Sequence, residues 1–93
     1  MIVKVPSRFI DNRNGNSIRE YYINPSLISY VDVNMFTHNN EDALCSVLIS
    51  MQGGLAPMLK NMSVLELQDF IMWWNKSLNI EKLNAETFGI KDN

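Results

Sequence analysis

Residues 63–66 read Ser-Val-Leu-Glu, and they open an apolar stripe. No other feature constrains the fold as much. A Ser at the cap of a helix accepts from the amide three residues on, and a Glu at that position reaches back to the Ser amide. Met62 and Leu67 occupy the two flanking positions where apolar side chains staple such a start. From there Val64, Leu67, Ile71, Trp74 and Leu78 fall within about 80° of one another at the helical period. The spacing predicts a helix from Ser63 to about Leu78 with that stripe as its core face. A lone helix of this length is marginal in water, so it needs a surface to lie on.

The rest of the chain reads as that surface. "MIVKVPSRFI" alternates and predicts a strand, with an edge or bend at Pro6, which lacks a donor. Asn14-Gly15 suits a type I′ turn, so residues 11–17 are expected as a hairpin tip, with "IREYYI" as the return strand. Asn24 and Pro25 fit the cap and first position of a tight or 3₁₀-like turn. "LISYVDVNMF" is β-branched and aromatic, and predicts a strand. After a polar loop at 37–42, "ALCSVLISM" is nearly continuously apolar, as expected of a central strand covered on both faces. Gly53-Gly54 predicts a second hairpin, with "LAPMLK" as its partner strand. The expected fold is therefore α+β: a curved, mainly antiparallel sheet of about five strands in two hairpins, with one C-terminal helix packed on it. Residues 1–80 form the expected domain. Residues 81–93 form a C-terminal segment, partly ordered or frayed.

Composition excludes several chemistries. The 93-residue chain carries a net charge of −2 without a basic run, which argues against nucleic acid as the main partner. Cys45 is the one cysteine and sits in the apolar run, where it reads as a small buried hydrophobe. His38 lies in the polar loop beside Glu41 and Asp42, with no second His or Cys at metal-ligand spacing. Neither a nucleophile elbow nor a phosphate loop occurs. No catalytic residue, cofactor or metal is expected. No apolar run reaches the ~18 residues of a membrane span, and a single cysteine without a secretion signal favours a cytoplasmic setting.

"YYINPSLISYVDV", a strand, a Gly turn, another strand and "SVLELQDFI" together form a layout that resembles the small FlbD-like proteins of flagellar operons and their phage and plasmid relatives. Tyr22, Ile23, Asn24, Pro25 and Ile28 carry the first part of the match, and Gly53, Gly54, Ser63, Val64 and Ile71 the second. The resemblance covers roughly residues 18–74. It implies a small regulatory or adaptor role and a bacterial or phage origin, and it supplies no catalytic residues.

Trp73 is the candidate functional residue. It adjoins the core Trp74 and is turned about 100° away from it, onto the side of Glu66, Asp69 and Ser77. Two readings stay open. The C-terminal segment, through Phe88 and Ile90, covers the ring; or Trp73 anchors a protein partner or a second copy, with Glu66, Asp69 and Ser77 as a polar rim and Leu65 and Met72 as an apolar flank. The expected function is a non-catalytic protein-interaction module, a regulator or inhibitor of a bacterial protein. The rival is a nucleic-acid-binding regulator using the basic N-terminal hairpin through Lys4, Arg8, Arg13 and Arg19.

Overall fold

The computed structural model describes residues 1–12, 19–36, 44–54 and 56–84, with the side chains of 35 and 36 left aside. The fold is α+β. Strands β1 (Val3–Lys4), β2 (Tyr22–Ile23), β3 (Ile28–Phe36), β4 (Leu44–Met51) and β5 (Met62–Ser63) precede helix α1 (Val64–Ser77). They form two antiparallel sheets instead of the one curved sheet expected: β1 pairs β2, and β3, β4 and β5 lie in that order. The hairpin tip expected at Asn14-Gly15, the loop holding His38, Glu41 and Asp42, and Arg13, Phe88 and Ile90 lie outside the described residues.

Local signals act as their chemistry demands. Asn24 Oδ1 accepts from the Ser26 amide at 3.1 Å and Pro25 opens a 3₁₀ turn over Pro25–Leu27. Gly53 and Gly54 hold φ of 93° and 89°, values that L side chains rarely adopt. The turn they make does not close the expected hairpin. Pro57 is buried and has no amide to donate, and residues 58–60 pair with the N-terminal segment instead. Asp11 N donates to Met58 O at 2.9 Å and Lys60 N to Phe9 O at 2.9 Å. The true hairpin joins β3 to β4, and the chain returns to set Met62 and Ser63 beside Cys45 and Leu44.

β4 is central, as expected, but among the described residues it is covered on one face only. Cys45, Val47 and Ile49 point into the core, while Leu44 and Leu48 remain 40% and 46% exposed on the outer face. The N-terminal strand also ends sooner than predicted. At Pro6 the chain turns into a 3₁₀ turn, Ser7–Phe9, that drops Phe9 into the core.

Helix α1 starts at the predicted cap. Ser63 Oγ accepts from Glu66 N, and Glu66 Oε1 accepts from Ser63 N, each at 3.2 Å. Its buried side is Leu67, Phe70, Ile71 and Trp74, continued by Leu78. Phe70 is fully buried and Val64 only partly, so the core face is rotated toward Trp73 from the predicted stripe. Phe9 causes this rotation: its ring packs edge-on to Phe70 with centroids 5.3 Å apart. Asn79, at φ 52°, ends the helix in the left-handed conformation that Asn tolerates. The chain then doubles back as a strap along α1. Trp74 Nε1 donates to Glu81 O at 3.0 Å, and the Asn75 carboxamide both donates to Leu83 O at 2.9 Å and accepts from Leu83 N at 2.7 Å.

Candidate interaction surface

Trp73 does not stand free on the polar side of the helix. Its ring is partly buried against Phe9 at 5.9 Å and Phe70 at 5.6 Å. Among the described residues, cover comes from the N-terminal 3₁₀ turn, a source that the local sequence does not advertise; the expected cover by Phe88 and Ile90 lies outside them. Beside it, Arg8 spans from the helix to Phe9: Nε donates to Asp69 Oδ2 at 2.7 Å, Nη2 to Oδ1 at 3.2 Å, and the guanidinium carbon sits 4.6 Å from the Phe9 ring centroid. Such a two-pronged pair fixes geometry as well as adding attraction.

Of the expected polar rim, Asp69 and Glu66 are occupied by internal duties. The hydrogen bond from Arg8 holds the Asp69 carboxyl below its ordinary pKa, and Asp69 in turn raises that of Arg8. Glu66 is held low first by its bond from Lys60 and then by the Ser63 amide of the capping box. Ser77, the last residue of α1, is partly buried. Asp69 and Glu66 thus lock the helix to the N-terminal segment and to residue 60.

Leu65 and Met72 are different. They are 77% and 70% exposed. Seven residues apart on a helix, they lie only about 20° from each other in projection and about 10 Å along the axis. By the same geometry they stand roughly 150° from the mean direction of the buried residues, at the pole opposite the core. The sequence placed them on a flank of Trp73; they are the centre of the outward face, with Gln68 between them and Lys76 exposed one turn beyond Met72.

Among the described basic residues of the N-terminal region, Lys4 and Arg8 are already paired. Lys4 is paired with Glu20 at 3.2 Å, and that bond, with a second from the Tyr22 hydroxyl, lowers the pKa of Glu20. Arg8 is committed to Asp69, and Arg19 is exposed with its amide donating to Asn12 Oδ1 at 3.4 Å. Cys45 is fully buried, donates to Met62 O, and burial pushes its thiol pKa up, which is the reverse of what an attacking thiolate needs. Among the described residues no three His, Cys, Asp or Glu side chains gather to hold a metal ion. No helix among them is long and apolar enough to cross a membrane.

One further feature carries no sequence signal. The strap stands off from the start of β3 and leaves an open cleft of about 620 Å³, with Ile28–Val31 on one side, Ile80–Asn84 on the other and Trp74 between them. It needs the strap's path, which Asn75 sets by side-chain hydrogen bonds that no local pattern announces. In comparisons with known proteins, no family model matches the chain, and no curated protein and no solved structure matches it.

Proposed function

We propose that this chain is a small non-catalytic protein-interaction module whose contact surface is the outer face of α1. One observation carries the reading: Leu65 and Met72, two large apolar side chains, are 77% and 70% exposed on one pole of a helix whose other apolar residues are packed inward. Paired apolar residues at this spacing are what an apolar groove or a second helix engages. Trp73, about a quarter turn around the helix and packed on Phe9 and Phe70, is assigned to the core edge and not to the anchor. The role we assign to the contact is regulation or inhibition of a bacterial protein, which rests on the FlbD-like layout described above.

The test is the paired variant Leu65→Lys with Met72→Lys. Both positions are exposed, so the unfolding midpoint should stay within about 0.5 kcal/mol of the parent. Binding to proteins captured from bacterial lysate, compared side by side with the parent chain, should fall at least about thirtyfold, the loss of about 2 kcal/mol expected of an interface anchor. A folded variant that retains every captured partner removes this face from consideration.

A further inference from the structure

The cleft beside β3 lies away from the outer pole of α1 and has a chemistry of its own. Among the described residues β3 is an edge strand, with β4 as its one neighbour in the sheet. Among the described residues, the backbone of residues 29–34 makes no hydrogen bond outside the ladder to β4. An antiparallel strand turns alternate amides and carbonyls outward, so this edge presents a row of donors and acceptors at strand spacing. Of the usual protections, Pro and Lys are absent from "ISYVDVNMF", which carries one charge, Asp32, and the irregularity lies at its start. The register slips between Ile28 and Tyr30, where the cleft begins, and such bulges commonly mark the rim of a site.

The far side of the cleft is suited to side chains. Ile80 and Leu83 are partly buried, and the Trp74 indole N–H is already satisfied by Glu81 O, so the floor offers apolar side chains. Glu81 and Lys82 put one charge of each sign on the rim. Recognition there cannot be set by net charge. A backbone row on one wall and an apolar floor on the other suit an extended chain, with every second side chain turned to the floor.

We propose that this cleft is a strand-addition site. It takes an extended segment of a partner protein, free of Pro over its central residues and apolar at every second position, which lies along β3 and hydrogen-bonds to its outer edge. The site is independent of the outer face of α1.

The experiment selects a displayed library of random ten-residue peptides against the full chain, then resynthesises the winners with single N-methyl groups at successive positions. The expected winners alternate apolar with polar residues. N-methylation at every second amide should weaken binding at least tenfold, and methylation of the intervening amides less than twofold. Leu83→Arg, which puts a charged chain on the floor, should weaken binding at least tenfold. The Leu65→Lys, Met72→Lys variant should bind as the parent does, and raising the salt should change affinity less than twofold. Failure of the library to enrich, an N-methyl scan without alternation, or indifference to Leu83→Arg overturns the proposal. It is equally overturned if a synthetic peptide of residues 85–93 displaces the winners, or if the winners dissociate a dimer of the full chain. Those two results assign the cleft to the chain's own segment and to a second copy, respectively.

Discussion

Trp73→Ala is expected to destabilise the folded chain by about 2–3 kcal/mol. Full truncation of a buried Phe or Trp costs about 3–5 kcal/mol, and a half-buried ring loses roughly half of that. The tilted contacts with Phe9, at 5.9 Å, and Phe70, at 5.6 Å, lie within the range where aromatic pairs contribute about 0.5–1.5 kcal/mol each beyond area burial. Trp74, at 3% exposure, should cost the full 3–5 kcal/mol on truncation to Ala, so Trp74 stays the more costly of the two. For a chain of this size the Trp73 loss is a drop of about 10–20 °C in Tm. Urea unfolding followed by circular dichroism measures it. A double-mutant cycle with Phe9→Leu then isolates the Phe9–Trp73 contact, with an expected coupling of about 0.5–1.5 kcal/mol. A free surface Trp predicts a cost within about 0.5 kcal/mol and no coupling. Either result would refute the packing argument and return Trp73 to the list of anchors.

Ser63→Ala should cost about 0.5–2 kcal/mol with the fold unchanged, read from the urea midpoint; an unaltered midpoint would place the start of α1 elsewhere. Asp69 and Glu66 have pKa values lowered by folding, so their contribution is complete above the unfolded carboxylate range near pH 4 and is lost as pH falls through the depressed folded values. Asp69→Asn and Glu66→Gln should therefore flatten the acid limb of a stability–pH profile, and the Asp69 part should shrink with salt because the pair is exposed. Asn75→Ala removes both bonds to Leu83, and hydrogen exchange at the Leu83 amide should accelerate by at least about tenfold, while amides of Leu67 and Phe70 in mid-helix keep their protection.

How much of this was legible depended on where each residue's partner lies in the chain. Ser63 and Glu66 recognise each other across one turn, and Asn24 and Ser26 across two residues, so the start of α1 and the 3₁₀ turn could be read directly. The α+β class followed from β-branched runs and one helical stripe. The second hairpin was misread because Gly53-Gly54 announces a turn but not its destination, and the partner of residues 58–60 turned out to be residues 9–11. The phase of α1 was off for a related reason. Phe70 counts as core only once Phe9 arrives to meet it, and Phe9 belongs to a segment that reads locally as a plain strand end. Leu65 and Met72 were seen, but as accessories to Trp73, since the cover over Trp73 is remote in sequence. The cleft was invisible, because its walls are brought together by the Asn75 carboxamide.

The Arg8–Asp69 pair joins groups 61 residues apart, and the core beneath it is finished only when Phe9 meets Phe70. Residues 5–10 thus wait for α1. On a ribosome, Val5, Phe9 and Ile10 emerge well before the helix that buries them, and no partial length holds a completed core. Topologies dominated by such distant pairings close slowly, because loop entropy is spent before any contact repays it. Burial of the N-terminal apolar residues Val5, Phe9 and Ile10 therefore waits on the docking of α1, and the docking step should set the pace of folding.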